Sequence, residues 1–215
     1  MKNLKSIIDN LNLVDDNEEV IKEALELLLD FSNLKISIMK KKIEKNLISG
    51  IFTNSNFKVP ISHIILENSR QIIKNSENEN TIINNVLASF DETFYCNKDI
   101  ADSIMKEIEK ALTELIQKND KEIIFSFLAL ENMNIIRYDL AFYNKSLNSK
   151  KIRDKVQSNL SYIVIKSFVN VRQMPFNDYS TLCLELLLKY FGEDQNKIKN
   201  NFNEMRDAYS INNLS

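Results

Sequence analysis

The segment KEIIFSFLALENMNIIRYDLAFYN, residues 121–144, decides how the rest of the chain is interpreted. At ~100° per residue its apolar side chains cover more than half the circumference of a helix, and further apolar residues stand on the remaining side. A helix that is apolar nearly all round is usually central, with other helices packed about it. We therefore predict a central helix over about residues 121–144. Its apolar positions are Phe125, Phe127, Leu128, Ala129, Leu130, Met133, Ile135, Ile136, Tyr138, Leu140, Phe142 and Tyr143.

Two polar residues, Asn132 and Asp139, interrupt the widest apolar arc of this helix. On a helical wheel they fall within about 20° of each other and roughly 10 Å apart along the axis. A buried amide or carboxylate must find partners, because an unpaired buried polar group is costly. One interpretation is a structural network in which Asp139 pairs with Arg172 or Arg153. The other is the polar floor of a ligand pocket between helices, formed by Asn132, Asp139 and Arg172.

The preceding segment, from Asp99 to Asn119, has the pattern of an amphipathic helix. Apolar residues recur there at spacings of three and four, and charged residues fill the opposite arc. Asp99 suits the N-cap, because its side chain can accept from the free amides of the first turn. Asn119 suits the left-handed backbone that ends a helix.

The rest of the chain also favours helices, since it has only two glycines and two prolines for turns. We predict an all-α fold, a globular bundle of about eight or nine helices around the central one. Residues 1–215 are interpreted as a single all-α domain, with a candidate subdomain break near residues 76–80. Residues 162–171 are β-branched enough for a strand, but the flanking periodicity favours a helix. The other predicted helices span about 4–11, 15–47, 60–75, 81–90, 152–171, 179–191 and 194–209.

Composition excludes several classes of protein. The net charge of −2 argues against general nucleic-acid binding, although Lys35, the run Lys40 to Lys42 and Lys45 form a basic surface that could bind anions. No run approaches the ~18 apolar residues of a transmembrane helix. The start of the chain lacks a signal-peptide core, because Asp9 and Asn10 interrupt it. We therefore expect a cytoplasmic protein with no membrane partner.

Catalytic motifs are missing from the sequence. Gly50 and Gly192 stand in no phosphate-binding loop, and His63 has no ligand pair around it. Cys96 and Cys183 have no metal-ligand companion at short spacing. These observations predict no catalytic residues, no cofactor and no metal site.

Aromatic residues in predicted loops suggest a contact surface for another protein. Phe52, Phe57, Phe94 and Tyr95 occur in such loops, where they either form a partner surface or fold back on the core. We predict a non-catalytic helical protein–protein interaction module of inhibitor, immunity, host-conflict or adaptor type, in which a homo-oligomer is also allowed. The alternative is a small-molecule-binding regulator or small enzyme with its pocket around Asn132 and Asp139.

Overall fold

The computed structural model describes residues 18–52, 58–74, 79–90, 98–116, 121–131, 134–146 and 158–214. These ranges contain five α-helices, four β-strands and a short 3-10 helix, Val171–Gln173. The helices are α1 (Glu18–Ser49), α2 (Glu79–Ala88), α3 (Lys98–Ile116), α4 (Phe176–Phe191) and α5 (Gln195–Leu214). The strands are β1 (Ile61–Lys74), β2 (Lys121–Glu131), β3 (Asn134–Ser146) and β4 (Ser158–Val169).

The four strands form one antiparallel sheet in the order β1-β4-β3-β2. The prediction of an all-α helical bundle is therefore wrong, and so is the central helix at residues 121–144. That segment is the β2–β3 hairpin, in which Lys121 lies opposite Asn144 and Glu131 lies opposite Asn134. The fold mixes helices with an antiparallel sheet.

The sequence of the hairpin resembles that of a buried helix because both faces of the hairpin are covered. A strand buried on both sides is apolar almost without alternation, and periodicity alone cannot distinguish it from a buried helix. The β-branched and aromatic residues of the segment were the better indicator of a strand. The same reason applies to residues 162–171, most of which belong to β4. Residues 61–74 form β1, which is exposed along much of its length, but its isoleucines at 61, 64, 65, 72 and 73 also fit helical spacing.

Helices cover the two faces of the sheet. On one face, α2 and α3 pack against Tyr138, Leu140 and Phe142 of β3 and the neighbouring residues of β4. On the other face, α1 packs against the alternate residues Ala141 and Tyr143 and their neighbours in β4. The helices α4 and α5 enclose a third apolar cluster, which includes Leu128 and Ile135 from the turn end of the hairpin.

Five of the predicted amphipathic helices are confirmed, and the one predicted at about residues 4–11 lies outside the described residues. The predicted helix at residues 99–119 is α3, the one at 15–47 is α1, and those at 81–90, 179–191 and 194–209 correspond to α2, α4 and α5. Of the candidate subdomain break, residues 76–78 lie outside the described residues, and residues 79 and 80 begin α2. Across the described ranges, no helix is long and apolar enough to cross a membrane.

Candidate protein-binding edge

Strand β1 forms one edge of the sheet. It is 14 residues long and contains no proline or glycine. Its inner side pairs with β4, and no described strand lies on its outer side. An edge strand of this kind presents a row of main-chain N–H and C=O groups that can pair with another chain.

Three consecutive apolar residues near the start of β1 are exposed. The exposed fractions are 42% for Ile64, 41% for Ile65 and 36% for Leu66. The register shifts between Ile64, opposite Ser167, and Leu66, opposite Lys166, so that Ile65 has no residue of its own opposite it in β4. This β-bulge places Ile64 and Leu66 on different faces of the sheet. We call Ile64, Ile65 and Leu66 the apolar edge segment.

The remainder of β1 pairs with β4 in a continuous register from Leu66 to Lys74. Helix α1 holds this part of the strand from one face. The Lys40 ammonium donates to Glu67 Oε1 over 2.7 Å, and this hydrogen bond raises the pKa of Lys40. Gln71 Nε2 donates to Asn33 Oδ1 in the same helix. These contacts hold the edge strand against α1 from one face.

A groove of about 680 Å³ opens beside the first residue of β1. Its apolar lining comes from Leu47 and Ile48 at the end of α1 and from Ile61. Gly50 reverses the chain after α1 with a φ of 67°, and its carbonyl accepts from Val59 N at 2.9 Å, which brings residues 58–60 alongside the helix. The groove could receive a side chain from a segment bound along β1.

Asp139, the predicted centre of a polar site, forms a buried ion pair with Arg137. Its carboxylate accepts from Arg137 Nε and Nη2, both at 2.8 Å, and from the Ser126 hydroxyl. Asp139 and Arg137 are both 1% exposed or less. The Phe52 ring stands 5.5 Å from the Arg137 guanidinium carbon. The hydrogen-bond partners of the Asp139 carboxylate are therefore the side chains of Arg137 and Ser126, as in a structural network.

The other residues predicted for this site do not join it. Asn132 lies outside the described residues, and Arg172 is exposed in the 3-10 helix. The partner of Asp139 is Arg137, two residues away along β3, because alternate residues of a strand share a face. A helical wheel separates the same two residues by about 200°, and helical periodicity therefore could not indicate this partner.

A second buried ion pair lies on the opposite face of the sheet. The Lys166 ammonium donates to Glu131 Oε2 at 2.7 Å, and the Tyr138 hydroxyl donates to Glu131 Oε1. The exposed fractions of Glu131 and Lys166 are 7% and 6%. Both buried ion pairs lie toward the turn end of the β2–β3 hairpin. Each has its partners within the fold, and we assign neither to ligand binding.

The aromatic residues predicted to form a partner surface are only partly described. Phe52 is half-buried and packs against the cluster of α4 and α5, as expected for a side chain that folds back on the core. Phe57, Phe94 and Tyr95 lie outside the described residues. The helix predicted at about residues 60–75 is wrong, since residues 61–74 form β1, and a helical pattern does not indicate the apolar edge segment. Its signal was the uninterrupted run Ile64-Ile65-Leu66, which a one-sided amphipathic helix does not favour.

The histidine, the described cysteine and two lysines of the predicted basic surface contact neighbouring residues or are buried. His63 is exposed, its ring lies 4.9 Å from that of Phe168, and Ser62 Oγ is 3.0 Å from its Nδ1. Burial raises the pKa of the Cys183 thiol to about 11, so it is protonated at neutral pH. In the basic surface of α1, Lys42 pairs with Glu122, and Lys35 lies 4.5 Å from the ring centre of Tyr143.

Comparisons with known proteins find distant structural likeness alone. No family model and no curated protein matches the sequence. Among solved structures, the chain is similar to one named delta-endotoxin, with 11% sequence identity over 81% of this chain and 76% of that chain and a TM-score of 0.39. A likeness of this size supports no conclusion about function.

Proposed function

We propose that this protein is a non-catalytic interaction protein that binds another polypeptide through the outer side of β1. The observation that carries the proposal is the edge strand with its exposed apolar segment. An extended partner segment can add to such an edge, with main-chain hydrogen bonds giving affinity and side-chain contacts giving specificity. Ile64 and Leu66 would contact the partner on opposite faces of the extended sheet.

The groove beside Ile61 supports the same assignment. The groove lies at the end of β1 that Ile61 begins, where Leu47 and Ile48 are apolar and Lys58 and Asp178 supply charge at the lining. An apolar lining combined with a few polar groups is typical of a site that selects one side chain of a bound segment.

The proposal is tested by capture from native lysate with Ile65→Lys and a matched control. Ile65 is exposed and lies in the bulge, so a lysine there adds charge to the edge without displacing core packing. Leu188→Lys makes the same change at a residue of α4 that is 55% exposed. Circular dichroism and thermal melting would establish that both variants fold as the wild type does.

We expect a captured protein that the wild type and Leu188→Lys retain and that Ile65→Lys loses by tenfold or more. Equal capture by all three chains would show that β1 is not the binding edge.

A further inference from the structure

Strand β1 is suited to pair with a copy of itself. From Leu66 to Lys74 its register with β4 is uninterrupted, so nine residues have the regular geometry that another strand needs. Glu67, Ser69 and Gln71 lie opposite β4 residues on the face covered by α1. The other face carries the positions Leu66, Asn68, Arg70, Ile72 and Lys74.

Two antiparallel copies of one strand are related by a two-fold axis perpendicular to the sheet. This axis keeps each face of the sheet on the same side, so residues directly opposite must come from the same face. The axis must therefore lie midway between the two copies of one residue, which face each other across it. We call this residue the centre. The candidate centres in the regular part of β1 are Glu67, Asn68, Ser69, Arg70, Gln71, Ile72 and Ile73. An axis at Ile72 places Arg70 opposite Lys74, two like charges, and an axis at Ile73 places the apolar Ile72 opposite Lys74.

The side chains distinguish these centres. An axis at Glu67 or at Arg70 places two like charges directly opposite each other, which is unfavourable. An axis at Asn68 places the apolar Leu66 opposite the charged Arg70. An axis at Gln71 places Arg70 opposite the apolar Ile72.

An axis at Ser69 avoids all of these conflicts. It pairs Asn68 with Arg70, Glu67 with Gln71 and Leu66 with Ile72, each of them twice by symmetry. Polar residues then face polar residues at the centre, and an apolar pair stands on each side of it.

We infer that the occupant of the edge is a second copy of this chain, paired antiparallel to β1 about Ser69. The two four-stranded sheets then form one continuous eight-stranded sheet. This inference rests on the proposed function of β1 and names its partner. The neutral hydroxyl at the axis, the amide opposite each guanidinium and the two apolar pairs are the chemistry by which the copies recognise each other.

The register is tested by sedimentation velocity over a range of concentrations with Asn68→Arg and Asn68→Arg/Arg70→Glu. The wild type is expected to form a dimer. Asn68→Arg places a second guanidinium against Arg70 of the other copy at two symmetric positions and should raise the dimer dissociation constant about tenfold. The double variant turns both contacts into pairs of opposite charge and should restore dimerisation. Gln195→Arg adds the same charge to exposed α5 and should leave the dimer unchanged.

Cysteine cross-linking gives an independent measure of the register, in a Cys96→Ser background. Ser69→Cys places two thiols directly opposite each other, with Cβ atoms ~5 Å apart. Gln71→Cys places them four residues apart along the strands, roughly 13 Å. A short thiol-specific linker should therefore join two copies of Ser69→Cys and fail to join two copies of Gln71→Cys.

The outcomes separate the inference from the proposed function. A chain that is monomeric at all concentrations, a dimer that Asn68→Arg does not weaken, or one that Arg70→Glu does not restore overturns the inference. If Ile65→Lys nevertheless loses a captured protein, the edge binds a different polypeptide and the proposed function stands. If the chain is monomeric at all concentrations and Ile65→Lys loses no captured protein, both fail.

Discussion

At the scale of single residues, two buried ion pairs characterise the sheet, Arg137–Asp139 on one face and Lys166–Glu131 on the other. Forming a buried ion pair gains little net stability, because both charges lose their hydration. Removing one partner is different, because it leaves the other charge buried without compensation. The Nη1 atom of Arg137 already lacks a hydrogen-bond partner among the described residues, so this guanidinium depends on Asp139.

We expect Asp139→Asn to lower the free energy of unfolding by about 3 kcal/mol, measured by urea denaturation at neutral pH. The neutral amide keeps the shape of the side chain but cannot balance the charge of Arg137. Asp207→Asn provides a control, because Asp207 pairs with Arg206 at 3.4 Å on the surface, where both side chains are exposed. The control should change stability by less than about 0.5 kcal/mol. Equal effects of the two substitutions would contradict this account of Asp139.

Cys183 predicts a dependence of stability on alkaline pH. Burial raises the pKa of its thiol from 9.0 to about 11, partly opposed by a hydrogen bond with Tyr179, and burial also raises the pKa of Tyr179. Between these values the unfolded chain has lost the thiol proton and the folded chain has kept it. The thiol's contribution to stability is therefore complete below pH 9 and is lost as the pH rises toward 11.

We expect the free energy of unfolding to fall between pH 9 and pH 11, with the thiol contributing on the order of 2 kcal/mol to the fall. Urea denaturation at a series of pH values measures it. Cys183→Ala should be less stable at about pH 8, because it leaves a small cavity, and should show a shallower decline. A variant with the same slope as the wild type would show that Cys183 does not titrate as described.

At the scale of elements, α1 is the helix that fixes one face of the sheet. Met39, Ile43 and Leu47 recur every four residues along it and are buried against β3 and β4. At the middle of α1, Asn159 Nδ2 in β4 donates to the buried Ser32 hydroxyl at 2.6 Å. From Ser32 to Leu47 the helix is thus held by one apolar row with a polar contact beside it.

Met39→Ala should lower the free energy of unfolding by about 2–5 kcal/mol, because it removes a fully buried side chain and leaves a cavity. Ile48→Ala removes a similar volume from the same helix, but Ile48 is 88% exposed and should cost less than about 0.5 kcal/mol. Thermal or urea unfolding would compare them. Similar losses from both substitutions would mean that α1 does not pack on the sheet through the row that includes Met39.

At the scale of the whole molecule, the position of each strand in the sheet determines how well its backbone amides are protected from hydrogen exchange. Strands β3 and β4 are bonded on both sides and covered by helices on both faces, whereas β1 is bonded on one side. Opening β3 or β4 requires loss of the apolar clusters on both faces. The amides of β1 that point away from β4 need no such opening to exchange.

Hydrogen exchange followed by NMR should therefore find the slowest amides in β3 and β4. In β1, every second amide should exchange much faster in dilute solution. At concentrations where the inferred dimer forms, those fast amides should become protected around Ser69. Uniformly slow exchange along β1 in dilute Asn68→Arg would contradict an accessible edge.

The amphipathic helices could be predicted from the sequence because their pattern is local. In α3 the apolar residues recur within one helical turn of each other, and one face of a helix is specified whatever lies opposite it. The absence of phosphate-binding motifs and of ligand pairs around His63 was equally a property of the sequence. The expected interaction class remains a proposal, now attached to β1 in place of the predicted loop aromatics.

The strands, the partner of Asp139 and the position of β1 at the edge of the sheet were decided only by the tertiary structure. A strand is completed by residues far along the chain, as when Ile61 pairs with Val169. The sequence of residues 121–144 is compatible with a buried helix or with a covered hairpin, and packing on both faces selects the hairpin. Whether β1 is an edge depends on the order of all four strands in the sheet, and no single segment contains that order.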